Sequence, residues 1–182
     1  HVLSAYTAER AYYISYGGEI IAELPANKVV LDPFGECKGS TVIACMYKVP
    51  EAGNSSILYG LYDSSSGREL VPCSRKEGYP INEERFVLKD TCLIGPEYDD
   101  FAAIYDKNGN VVCDGGKYQD IDFTYGSSYG IGFAISPTDT YYNVINTDGK
   151  AVGGKYDSID KDADGNFVCK KGDQTETIKS VK

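Results

Sequence analysis

The chain contains no tryptophan, one histidine, which is its first residue, and no cysteines spaced C-x-x-C. Each absence removes a chemistry. Without an internal histidine, Ser-His and Cys-His nucleophilic pairs have no base. A structural zinc site loses its usual ligand spacing. Long apolar runs are missing as well, and nothing approaches the ~18 consecutive apolar residues of a membrane-spanning helix. Positive charge is scarce: 18 Lys and Arg face 27 Asp and Glu, for a formal charge of −9. A field of that sign repels phosphate backbones. The densest basic pair, Lys170-Lys171, lies among acidic neighbours, so nucleic acid is not an expected partner. Helical periodicity does not extend beyond a turn at Ala8-Glu9-Arg10-Ala11.

What is present favours strands. Among 182 residues there are 16 Tyr and 6 Phe, and 42% of the chain is hydrophobic, enough to bury a core. Tyr, Val, Ile and Thr suit pleated, half-buried surfaces, and 20 Gly with 7 Pro suit many short turns. Six cysteines (37, 45, 73, 92, 113 and 169) allow three disulfides or buried free thiols, and both readings stand. Cys37 and Cys45 are close enough in sequence to face each other across a hairpin.

The strongest signal is internal repetition. Gly115-Gly116-Lys117-Tyr118-Gln119-Asp120-Ile121-Asp122 recurs as Gly153-Gly154-Lys155-Tyr156-Asp157-Ser158-Ile159-Asp160, identical at six of eight positions. Upstream, residues 103–112 align with 144–152, an earlier copy spans 59–72, and the weakest is 12–21. Turn glycines fall at 18, 67, 109 and 149, a ragged period of about forty residues. Each copy reads as an apolar strand, then Asp or Asn followed by Gly, then a second short strand: a hairpin whose first side chain bonds the turn and whose Gly supplies positive φ. A Tyr-x-x-Ile element follows and is expected to pack back onto the hairpin. A third apolar piece closes the unit, at 85–88, 132–135 and 166–169. The expected fold is all-β: about four degenerate repeats of short antiparallel strands in one domain, residues 1–182, with units near 8–57, 58–100, 101–140 and 141–182. The arrangement is propeller-like or an open curved array, in which stacked copies share a core that none can build alone.

Tyr59-Gly60-Leu61-Tyr62-Asp63, followed by Gly67-Arg68-Glu69-Leu70-Val71-Pro72, resembles the bacterial WG-type repeat, with Tyr118-x-x-Ile121 and Tyr156-Asp157-x-Ile159 as its last element. Tyr59 and Tyr142 stand at the place of the family's Trp, and Ala102 in the third copy. The resemblance implies a β-rich repetitive architecture, often secreted or surface-linked, and no common enzymatic activity.

Two candidate sites emerge. Asp160, Asp162, Asp164 and Asn166 follow the first half of a calcium loop, with alternating oxygens and Gly165 at the bend. Lys171 stands where a bidentate Glu would close such a loop, and a solvated Asp-Gly turn is the plainer alternative. Tyr125 and Tyr129, in a Gly/Ser-rich loop read as flexible, have no repeat counterparts and are candidates for a ligand surface. Tyr59, Tyr118, Tyr142 and Tyr156 recur in register and are expected in the core. Glu83-Glu84 and Asp99-Asp100 are adjacent pairs that a strand would point to opposite faces, so neither forms a catalytic dyad. The sequence thus points to a non-catalytic binding or scaffolding module without a cofactor, outside the cytoplasm and recognising a protein. The alternative is a carbohydrate-binding module of a secreted protein, with calcium support. Paired-carboxylate hydrolysis is the remote third reading.

Overall fold

The computed structural model describes residues 2–26, 28–30, 40–48, 56–63, 65–90, 101–136 and 138–180. Within them every regular element is a strand, and all pairing is antiparallel. The first sheet holds β1 (Val2–Tyr6), β2 (Arg10–Ser15) and β3 (Ile20–Pro25). The second runs β4 (Lys28–Val30), β5 (Thr41–Lys48), β6 (Ser56–Asp63) and β7 (Arg68–Arg75). In the third are β8 (Glu77–Asn82), β9 (Arg85–Asp90), β10 (Phe101–Asp106) and β11 (Val111–Cys113). The fourth holds β12 (Asp120–Asp122), β13 (Tyr129–Ser136) and β14 (Asp139–Asn146), and Ala151 bridges to Ile145 beside it. The fifth holds β15 (Ser158–Lys161), β16 (Phe167–Lys171) and β17 (Gln174–Ile178). No sheet closes into a barrel, and the result is an open, repeat-like array.

The hairpin turns repeat atom for atom. At Ser15, Asp106, Asn146 and Asp162 the residue's carbonyl accepts the N–H of a glycine three positions on. Those glycines, Gly18, Gly109, Gly149 and Gly165, have φ of 84°, 82°, 70° and 82°. The side-chain oxygen of the first residue accepts the N–H four positions on, at 2.8 to 3.1 Å. This is a type I turn ended by a left-handed glycine, which forces a bulge into the following strand. The turns within residues 103–112 and 144–152, aligned from sequence, therefore share one conformation.

Sequence unit and sheet are out of phase. The hairpin β10–β11 completes the third sheet, while the Tyr118 element and the apolar piece after it open the fourth as β12 and β13. The Tyr-x-x-Ile element faces both ways. Tyr156 pairs back to Tyr142 on the preceding hairpin, whereas Ile159 pairs forward to Cys169. Each unit is thereby shared between two sheets.

Stacking follows from strand alternation, since successive side chains leave opposite faces. On β9 and β10, Phe86, Leu88, Ala103 and Tyr105 join Leu61 and Val71 of the second sheet. The intervening Val87, Ala102 and Ile104 join Ile121, Ala134 and Ile145 of the fourth. The next core, Val144, Tyr156, Phe167 and Cys169, joins the fourth sheet to the fifth. Strands buried on both faces read as continuous apolar runs, as Phe86-Val87-Leu88 does. Turns also lock into the previous sheet: a Cβ on Gly109 would lie 2.9 Å from Leu70 Cβ, and one on Gly149 2.6 Å from Cys113 Cβ. Cys73 is buried, and Cys113 and Cys169 are buried free thiols. Cys37 and Cys92 lie outside the described residues, as do Asp99 and Asp100.

Candidate ligand groove between the last two sheets

The loop joining β12 to β13 carries Tyr125, and Tyr129 opens β13 at its end. The loop's composition reads as flexible, and the structure ties it to its neighbours by hydrogen bonds. Gly126 takes φ of 76° and donates its N–H to the Ile81 carbonyl of the third sheet at 2.8 Å. The Ser127 hydroxyl reaches the carbonyls of Thr124 and Tyr129 at 2.6 and 2.9 Å. A loop tied to a neighbouring sheet holds its side chains in place at little further entropic cost on binding.

Facing this loop is the turn between β15 and β16. Lys161 extends to the Thr124 hydroxyl at 3.3 Å and lies 5.5 Å from the centre of the Phe167 ring. Between the walls is a groove of about 410 Å³. Thr124, Tyr125, Ser127 and Tyr129 line one side, Lys161, Asp164 and Gly165 the other, with Phe167 and Ser180 completing it. Tyr125 and Tyr129 are half-buried. One cation and one carboxylate leave the groove without net charge.

The four oxygens of the calcium-like run do not converge. Asp160 lies 3.5 Å from the Lys170 ammonium. Asp162 accepts the N–H groups of Asp164 and Asn166 on one oxygen and the Asn166 amide on the other. These bonds, the Asn166 side chain first, hold its carboxyl below the ordinary range. The Asn166 side-chain Oδ1 accepts the Ser180 N–H, and Asp164 turns to the groove. Asp106 makes the same network with Asn108 and Asn110, and Asn146 makes its backbone part without a charge. The recurrence identifies the acidic run as turn chemistry. Among the described residues no three His, Cys, Asp or Glu side chains gather as a metal site would require.

Of the in-register tyrosines, Tyr118 and Tyr156 are buried as expected, whereas Tyr59 and Tyr142 are only half-buried: Tyr59 packs against the core between the second and third sheets, and Tyr142 tilts onto Phe133 with ring centres 4.8 Å apart. Burial pushes the Tyr118 hydroxyl up to about 12. Glu84 is engaged by Lys107 at 2.7 Å.

Tyr125, Tyr129 and Asp164 were separate candidates in the sequence, and the fold brings them to one groove. Thr124, Lys161 and Phe167 were not singled out. In the sequence Phe167 reads as part of an apolar strand and as the apolar residue that follows the calcium-like run, not as a groove residue, and no local pattern links residue 124 to residue 161. No family model, curated protein or solved structure matches the chain.

Proposed function

We propose that the chain is a non-catalytic binding module, akin to WG-type repeats in architecture, that takes a neutral glycan in the groove between its fourth and fifth sheets. The observation that carries this reading is the convergence of Tyr125 and Tyr129 with Asp164, Lys161 and Thr124 around one recess. Tyrosine gives a flat apolar face for a sugar ring and a polar tip for its hydroxyls. The recess falls in the ~300–1,000 Å³ range of small-molecule sites, whereas a protein partner usually covers ~800 Å² per side. That concavity favours the glycan over the protein-recognising reading. Glycoside hydrolysis uses two flanking carboxyls, and the groove is lined by one, Asp164.

We also propose an extracytoplasmic setting, on the resemblance to WG-type repeats alone; free thiols do not argue for it, since oxidising compartments favour disulfides, but buried ones would survive there. Burial pushes Cys113 up and Cys169 to about 11, so both remain protonated and slow to oxidise. An array of neutral oligosaccharides, followed by calorimetry on the retained sugars, tests the proposal. Tyr125→Ala should weaken binding about tenfold, the loss of roughly 1.4 kcal/mol, with the thermal midpoint essentially unchanged. An array on which nothing is retained, or binding indifferent to Tyr125→Ala, rejects it.

A further inference from the structure

A second, larger cavity of about 620 Å³ opens where the Gly153-Gly154-Lys155-Tyr156 segment meets β16 and β17. Strand register shows why it exists. Ile121 pairs with Gly132 in the fourth sheet, and Ile159 with Cys169 in the fifth. Gly132 and Cys169 are therefore equivalent, and so are the cross-strand pairs Ala134–Tyr141 and Lys171–Gln174. In the earlier copy the place is filled. The Tyr118 ring lies so close over Gly132 that a Cβ there would be 2.7 Å from it. Ala134 is buried, and Tyr141 packs onto the same core.

In the last copy Tyr118 is kept as Tyr156, but the other three packing residues are replaced. Cys169 stands for the glycine, Lys171 for the alanine and Gln174 for the tyrosine, so an apolar plug becomes a polar recess. The Tyr156 hydroxyl turns to Glu176 and also accepts the Gly154 N–H at 2.9 Å. Lys155 is held by Asp139 at 3.0 Å and sits 3.8 Å from the Tyr141 ring centre. The side chains of Lys171 and Gln174 make no hydrogen bond or ion pair within the described residues, and both line the cavity. The recess thus holds one carboxylate, already bonded to a hydroxyl, and free donors that include an ammonium.

We propose that this cavity binds a small hydroxylated carboxylate of the sugar-acid class, its carboxylate on Lys171 and its hydroxyls on Gln174 and the Tyr156–Glu176 pair. The site is separate from the tyrosine groove and does not depend on the glycan reading. A carboxylate is favoured because a charge-assisted bond to an unpaired ammonium is stronger than a neutral one, while the recess offers hydroxyl ligands both donors and an acceptor.

Amide NMR titration of the whole chain with sodium glucuronate is the test, with glucose, sodium sulfate and sodium chloride at matched ionic strength as controls. Saturable shifts at Gly153, Gly154 and Gln174–Glu176 are expected with glucuronate and not with the controls. Lys171→Met, which keeps the stem and removes the charge, should weaken binding about tenfold or more. Gln174→Tyr restores the aromatic residue of the preceding repeat and should abolish binding while the fold is retained. Shifts that do not saturate, that sulfate reproduces, or that survive Gln174→Tyr in a folded protein overturn the assignment. Shifts at Tyr125 and Tyr129 report on the other groove and are read separately.

Discussion

The turn glycines show how one residue type carries two different constraints. Gly149 and Gly165 both take positive φ, 70° and 82°, where a side chain is strained by roughly 1–2 kcal/mol. Their surroundings differ. Nothing lies within 4 Å of where a Gly165 Cβ would stand, but a Gly149 Cβ would press on Cys113. Gly165→Ala should therefore cost about 1 kcal/mol, and Gly149→Ala about 2–4 kcal/mol once overpacking adds to backbone strain. At ~2–4 °C per kcal/mol for a chain of this size, thermal melts will separate them. Equal losses at the two sites would mean that the Gly149 turn does not bear on the third sheet. The positive φ of these glycines was legible from spacing alone. The extra load on Gly149 was not, because it comes from a residue 36 positions away in another sheet.

At the scale of the hairpin, the turn before Gly67 is the outlier. Its loop is one residue longer, and Asp63 holds it by accepting from the Ser66 and Ser65 hydroxyls and the Ser65 N–H. Chiefly through Ser66, these bonds lower the Asp63 carboxyl from 3.8 to about 2. Because the folded pKa lies below the unfolded one, this stabilisation is present above pH ~4 and is lost as pH falls towards about 2. Asp63→Asn should lower the melting midpoint by about 1–4 °C at pH 7, a modest figure because solvent screens the site. Near pH 2 the variant and the parent chain should melt together. A difference that persists unchanged down to pH 2 would show that the carboxylate charge is not what holds the loop. The same scale explains the calcium-like run: alternating Asp residues before a Gly satisfy a hairpin as well as they would a cation, and only the engaged lone pairs distinguish the two.

Across the molecule, burial is graded along the stack. β9, β10 and β14 have buried apolar residues facing both neighbouring sheets. The outer face of the fifth sheet is mostly polar: Ser158, Asp160, Lys170, Thr175 and Thr177 surround Val168. That is the character of a solvent-facing end sheet in a stacked array. Cross-sheet ion pairs reinforce the middle. Lys89 is 8% exposed and reaches Asp120 of the fourth sheet at 2.8 Å, and Arg85 reaches Asp148 at 2.9 Å. In a quasi-one-dimensional stack, local opening should follow this gradient. Amide exchange is expected to be slowest in β9, β10 and β14 and at least tenfold faster in β17. Uniform protection over all five sheets would instead indicate a single cooperative unit.

By itself the sequence determined the strand-rich class, the hairpins, the glycines at their bends and the burial of Tyr118 and Tyr156. All of these follow from interactions within about ten residues, or from a repeat that writes the same local physics several times. Only the tertiary structure decided that sheets are shared between successive units, that residues 124–129 face residues 161–167, and that the last copy exchanges an aromatic plug for a polar cavity. Those outcomes depend on which faces of distant strands meet, and a two-residue strand period fixes the alternation of faces without naming the partner that covers them.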